Sequence, residues 1–299
     1  MVSLEELRRG VAGRIAVGES LAPYAGLGIG GAAAFLVEPA TEEAFVAAVT
    51  YFRDRDIPLL LVRHGSNILV APGGYDGAAI SVEGGLGGIL PGDRGSCRAG
   101  AGTRCAALVE YCIERGLGGA ESLAGLDGTV AGALVSDGGA LRASLVGVDV
   151  LREGRVVRLA PLAGLRTSGP GRDIVLGATF RFVPARKENL LARRREHLVR
   201  NIRARPVNIP RSAVMFRDAP GTPAGELIAR SRVRALRGGA LRFAPAHPNV
   251  LVRTGEASAS DVLDVMAVVR RAVRRACGVT LEPALMPVGF GMPALREVA

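Results

Sequence analysis

Tryptophan is absent from this chain, lysine occurs once, at position 187, and aromatic residues make up only 4% of the 299 residues. A nucleic-acid partner would want stacking rings beside its basic groups. The formal charge of +10 therefore does not by itself argue for such a partner, and none is expected. Nearly all the basic residues are arginines, and the clusters at Arg193–Arg195 and Arg270–Arg271 fall in helix-like stretches, where the plain reading is a solvated face. Their field would still attract a small anionic ligand. No run approaches the roughly 18 apolar residues that a membrane helix needs. The opening MVSLEELRRG is charged, unlike a signal peptide, so the expectation is a cytoplasmic protein with no membrane partner.

Cysteine is also scarce. Cys97, Cys105, Cys112 and Cys277 form no CxxC pair, which argues against a zinc site and a disulfide framework and for free, buried thiols. His64, His197 and His247 are scattered along the sequence, so no metal is expected.

What is present is alternating α and β patterning. TEEAFVAAVTYFRDRD (41–56) opens with a capping threonine and two glutamates and continues at helical spacing. LLLVR and ILVAP read as short strands on either side of HGSN. A further α/β portion starts near Ala79 and leads to a helix over about 104–115, with Ala107, Leu108, Tyr111 and Cys112 on one face. VGVDVLREGRVVRL reads as a hairpin turning at Glu153-Gly154. From Lys187 the texture changes to a basic helix, a proline-bounded loop and an α+β portion with a helix over 260–277.

Three segments are candidates for chemistry. In LVRHGSNILV, small residues between strands can present backbone N–H groups to an anion, with Ser66 and Asn67 as side-chain donors. A plain turn uses the same residue types. The second segment, 116–140, holds eight glycines around Gly125-Leu126-Asp127-Gly128-Thr129-Val130, which permit close backbone approach by a large anionic cofactor or simply a tight packed turn. The third, Gly28-Ile29-Gly30-Gly31, lacks the final spacing of a dinucleotide fingerprint and opens a strand.

In this order and spacing, LGIGGAAAFLVEP, RHGSNILV and ESLAGLDGTVAGALVSDGGA resemble the UDP-N-acetylenolpyruvoylglucosamine reductases. LRTS (165–168), AGELI (224–228), and Gly238-Gly239-Ala240 followed by His247 and Asn249 extend the resemblance over about 21–290, in the compact form of the family. It implies the α+β class: a two-lobe FAD-binding domain of the vanillyl-alcohol-oxidase (PCMH) type, with lobes at 1–78 and 79–186, and a C-terminal α+β substrate lobe at 187–299. The implied cofactor is non-covalent FAD, held by Gly28, Gly30, Arg63, His64, Gly65, Ser66, Asn67, Gly125, Asp127, Gly128, Thr129 and Gly132, with NADPH as electron donor. His64 stands where distant relatives of the fold attach flavin covalently, although a hydrogen bond to phosphate or backbone is the simpler role. Arg217, Glu226, His247 and Asn249 are implied to line the cavity of a small-molecule substrate; Glu226 stands where the family more often has lysine.

The resemblance also carries a contradiction. The family's proton-donating serine and assisting glutamate fall on Val214 and Ala284, and only its anion-stabilising arginine has a counterpart, Arg166. Ser212 is the nearest hydroxyl, but i and i+2 in an extended segment lie about 6 to 7 Å apart. The expectation is an FAD-dependent oxidoreductase diverged to another small, anionic substrate. The alternatives are the family reaction with a relocated proton donor, or a flavin-binding protein without redox turnover.

Overall fold

The computed structural model describes residues 3–136, 139–160, 164–166, 172–204, 209–233 and 239–291. Helices and mostly antiparallel strands are mixed, the α+β class expected. The chain forms two compact units: Met1–Ile15, Val37–Leu61 and Ile80–Val207 make the first; Ala16–Leu36, Val62–Ala79 and Asn208–Ala299 make the second. A four-stranded sheet runs in the order Gly13–Ser20, Ala32–Pro39, Tyr75–Ser81, Leu59–Val62. Among the described residues no helix is long and apolar enough to cross a membrane.

In the first unit the helix Glu42–Arg53 starts where Thr41 accepts a hydrogen bond from Ala44 N–H, with Glu42 and Glu43 at its positive end. Its apolar spacing buries Phe45, Ala48, Val49 and Phe52. An antiparallel sheet runs in the order Arg155–Leu159, Leu145–Arg152, Ile174–Arg181, Ser96–Gly100, Ile89–Pro91. Its hairpin turns at Glu153 (φ 50°) and Gly154 (φ 77°), as two consecutive left-handed residues in a two-residue loop require.

The helix Cys105–Glu114 buries Cys105, Leu108, Val109, Cys112 and Ile113. Its inner face is thus turned from the one expected. Ala107 is exposed and Tyr111 half-buried under Arg115, because the 105, 109, 113 row together with 108 and 112 forms a broader apolar stripe. Burial pushes the Cys97 thiol up to about 11 and the Cys112 thiol up to about 12, so both remain neutral packing groups among Ala99, Val148, Phe180 and Phe182.

Two arginines tie this unit together through ion pairs. Arg98 reaches Glu42 at 2.8 Å and Asp149 at 2.8 Å, joining the helix to the sheet; Gly177 makes room, since a Cβ there would come within 2.9 Å of the guanidinium. Arg152 grips both oxygens of Asp173 at 2.7 Å, and the Asp173 side chain is 0% exposed.

In the second unit a three-stranded antiparallel sheet places His247–Arg253 between Ser212–Val214 and Leu241–Ala244. The helix Ala259–Cys277 begins with a Ser258–Asp261 capping box and ends at Gly278, φ 71°. Its Val262, Met266, Val269 and Val273 enter a core with Met215, Phe216, Leu227 and Leu251. The strand Met286–Val288 runs parallel to Ile68–Val70. At Gly289 the backbones approach so closely that a Cβ would sit 1.9 Å from the Gly74 carbonyl. LLLVR and ILVAP are therefore not two arms of one hairpin: Leu59–Val62 lies beside Tyr75–Ser81, and Ile68–Val70 beside Met286–Val288.

The Arg152 guanidinium, followed by the Arg166 backbone N–H among the favourable contacts, holds the Asp173 carboxyl below its ordinary range. A depressed folded-state value means stability that is fully present above the unfolded carboxylate range and lost as pH falls through the folded value. Asp173→Asn is expected to lower the urea midpoint at pH 7. The gap from the native chain should narrow below about pH 4; a gap that persists unchanged in acid would rule out the ion pair as its cause.

Candidate functional site

The expected cofactor residues fall in both units. In the second, the strand ending at Val62 gives way to a turn in which Gly65 takes φ 74°. The Ser66 hydroxyl accepts from Arg63 N–H at 3.0 Å and donates to Arg63 O at 2.8 Å, closing that turn on itself. Ser66 N–H bonds Tyr24 O at 2.8 Å, and Gly26 N–H bonds Ser66 O at 2.8 Å. Asn67 turns inward: its Nδ2 donates to Val214 O at 3.0 Å and its Oδ1 accepts from Val214 N–H at 3.1 Å. Ser66 thus closes the turn and Asn67 ties it to Val214.

The exposed apex is His64-Gly65. Arg63 Nη1 donates to His64 O at 2.8 Å, and the His64 ring stacks on Tyr24 with centroids 4.7 Å apart. A Cβ at Gly65 would meet nothing nearer than Arg63 Nη1 at 3.8 Å. An open backbone face beside a guanidinium fits an anionic cofactor group. Gly30 serves packing, since a Cβ there would meet Val70 Cβ at 3.0 Å. At Gly28, φ 63°, the neighbour is Arg253 Nη2 at 3.0 Å from the same construction point. No motif singles out Arg253. Its signal is register: two residues after the fully buried Leu251, it lies on the same side of its strand.

Val214 and Ala284 are neighbours in this unit. Val214 ends the strand paired with His247–Arg253, and the chain continues through Met215 and Phe216 alongside residues 282–285. Arg217 N–H bonds Glu282 O at 2.8 Å, Phe216 bridges Pro283, and Ala284 N–H bonds Met215 O at 2.9 Å. Val214 and Ala284 are both half-buried. Neither side chain carries a titratable atom. Ser212 donates its hydroxyl to Ile209 O at 2.7 Å.

Of the expected substrate residues, Asn249 is a structural clamp here. Its Oδ1 accepts from Phe216 N–H at 3.0 Å, its Nδ2 donates to Phe216 O at 2.7 Å, and its own carbonyl accepts from Met215 N–H at 3.0 Å. Glu226 pairs with Arg230 one helical turn on. His247 opens the central strand, and Arg217 is exposed.

In the first unit, a Cβ at Gly125 would meet Leu198 Cδ1 at 3.0 Å, while Asn201 Nδ2 donates to Ser122 O at 3.0 Å and Ala124 O at 2.8 Å. Gly125 therefore lets the helix Lys187–Ala204 pack on the glycine-rich segment. Gly128 differs: its carbonyl accepts from Cys105 N–H at 2.9 Å, but a Cβ there would meet nothing within 4 Å. Thr129 Oγ1 accepts from Gly132 N–H at 3.3 Å. Asp127 would repel a phosphate, and Arg104 at 4.0 Å offsets that charge. The open Gly128 backbone and this pairing are compatible with a bound diphosphate.

Arg166 also lies in the first unit. Its guanidinium is 3.1 Å from Glu153 Oε1 with half its side chain exposed, and its backbone N–H bonds Asp173 at 2.8 Å. Thr167 and Ser168 of LRTS, like Gly238, lie outside the described residues.

Removing the Asn249 carboxamide leaves both Phe216 backbone groups without it. Asn249→Ala is expected to cost about 1–3 kcal/mol of unfolding free energy, measured in urea. Asn249→Asp should also destabilise, since it removes the donor to Phe216 O. Native stability in both variants, with only ligand binding weakened, would assign Asn249 to the ligand instead.

Residues 205–287 match the family of the UDP-N-acetylenolpyruvoylglucosamine reductase C-terminal domain, and residues 33–160 match an FAD-binding domain. UDP-N-acetylenolpyruvoylglucosamine reductase of Syntrophotalea carbinolica is 34% identical over 284 residues, covering 92% of this chain and 94% of its own. That of Geobacter metallireducens is 34% identical over 299 residues, covering 95% and 97%. The crystal structure of the Thermus caldophilus reductase superposes with a TM-score of 0.70 at 26% identity, covering 93% of this chain and 99% of that one. These relationships bear out the resemblance carried by the glycine-rich motifs, and the chain belongs to the UDP-N-acetylenolpyruvoylglucosamine reductase family of FAD-dependent oxidoreductases.

Proposed function

We propose that this member reduces a small anionic substrate other than the enolpyruvyl ether of UDP-N-acetylglucosamine, one that takes its proton from water or carries its own acidic position. The observation that supports this most strongly is the adjacency of Val214 and Ala284 through the Met215 carbonyl. Two neighbouring positions, reserved in the resembled enzymes for proton delivery, both hold side chains that cannot release a proton. General acid assistance is worth roughly 10²–10⁴-fold, so the family reaction on this framework would be slow.

In this reading FAD supplies hydride transfer, with NADPH as the source of electrons. Gly28, Gly30 and the Arg63–Asn67 turn, together with Gly125, Asp127, Gly128, Thr129 and Gly132, would hold the cofactor. Arg166 would leave Glu153 to hold the substrate's anionic group, with Arg217, Glu226 and His247 nearest the specificity of the pocket. Residues 1–78 and 79–186 would act as the cofactor lobes, 187–299 as the substrate lobe, in the cytoplasm.

A second reading follows from the relatives' names: reduction of UDP-N-acetylglucosamine enolpyruvate itself, with a relocated donor. Ser212 could serve only after giving up its bond to Ile209 O.

Anaerobic NADPH should bleach the flavin band near about 450 nm of the purified protein. Turnover of UDP-N-acetylglucosamine enolpyruvate should stay near background and rise in the Val214→Ser, Ala284→Glu double variant. Efficient turnover by the native chain would overturn the diverged reading in favour of the second, and a protein that takes up no FAD would overturn both.

A further inference from the structure

Arg253 is the charged group that the chemistry so far leaves unused. Its Nε is buried and has no hydrogen-bond partner among the described residues. Its Nη2 stands over Gly28, close enough that a Cβ there would come to 3.0 Å. Guanidinium does not lose its proton in proteins, and a buried cationic donor left without an acceptor is unfavourable. An anion arriving at the guanidinium from outside the chain would compensate that cost.

The surroundings show which anion would fit. Arg253 N–H bonds Arg211 O at 2.8 Å, which fixes the strand end beside Ser212. Gly26 is packed so closely there that a Cβ would lie 2.5 Å from Ser212 O, while its N–H bonds Ser66 O. Ala25 bridges Ser66 directly. The Gly26–Gly28 turn therefore joins Arg253 on one side to the His64-Gly65 apex on the other, all within the second unit. The Gly28 N–H is already given to Ala25 O at 2.8 Å, so Gly28 contributes room beside the guanidinium, whose planar fork of donors suits phosphate oxygens.

We propose that Arg253 is a diphosphate-binding residue, a role that none of the glycine-rich motifs assigns. The proposal rests on the nucleotide-cofactor reading above for the class of its ligand. A diphosphate could come from FAD or from a nucleoside-diphosphate substrate, and the two sources are separable.

The test uses the full chain freed of flavin, with inorganic pyrophosphate as the first probe. Pyrophosphate is expected to raise the Tm of the native protein and to do so much less in Arg253→Gln. Binding of FAD and of UDP is then compared by calorimetry. A loss of about ten- to a hundredfold in FAD affinity assigns the residue to the cofactor, and the same loss in UDP affinity alone assigns it to the substrate. If Arg253→Gln binds pyrophosphate, FAD and UDP as the native chain does, the proposal is overturned. It is equally overturned if pyrophosphate leaves the native Tm unchanged and neither nucleotide loses affinity in the variant. Should the Gln variant fail to fold by circular dichroism, Arg253→Lys keeps the charge and removes the fork. An intermediate loss supports the assignment and native binding overturns it. The pyrophosphate response does not depend on flavin turnover, so failure of the redox reading and failure of this assignment give different results.

Discussion

Two carboxamides hold the run Val214–Phe216 where it is. A side-chain amide is a peptide group on a stem, and Asn67 and Asn249 each use theirs as one, presenting a donor and an acceptor together to a single residue's backbone. Asn67 takes Val214 and Asn249 takes Phe216. Between them Met215 accepts from Ala284 N–H. The geometry of this corner is fixed by backbone bonds and does not depend on what the side chains at 214 and 284 are. Val214 and Ala284 therefore sit on a scaffold that neither of their side chains supports.

Much of the fold is readable in the sequence where local signals act alone. Thr41 marks a helix start and Glu153-Gly154 turns a hairpin, because capping and left-handed turns depend on a few consecutive residues. Legibility fails where partners are distant. Nothing local in LLLVR and ILVAP says that one strand joins Tyr75–Ser81 and the other Met286–Val288. The inward turn of Asn67, the clamp made by Asn249 and the approach of Arg253 to Gly28 have the same character. Each is a contact with a segment far along the chain; residue type suggested a ligand for the first, the family resemblance a ligand for the second, and neither a role for the third.

Arginine abundance takes two forms. Arg98 and Arg152 are drawn into the first unit by carboxylates and hold its sheet to its helix and loop. Arg193 and Arg195 stand exposed on the Lys187–Ala204 helix, consistent with a solvated face. Composition reports the sum of these populations and cannot separate them. Burial and partners do.

The parallel pairing of Ile68–Val70 with Met286–Val288 has a consequence for biosynthesis. Met286 N–H bonds Asn67 O, directly after the turn whose apex is His64-Gly65. Residues 68–70 leave the ribosome well before residues 286–288, which complete the pairing. Until then the earlier loop waits with an unmet carbonyl and an unpaired strand edge, exposed to mispairing while the intervening residues are made.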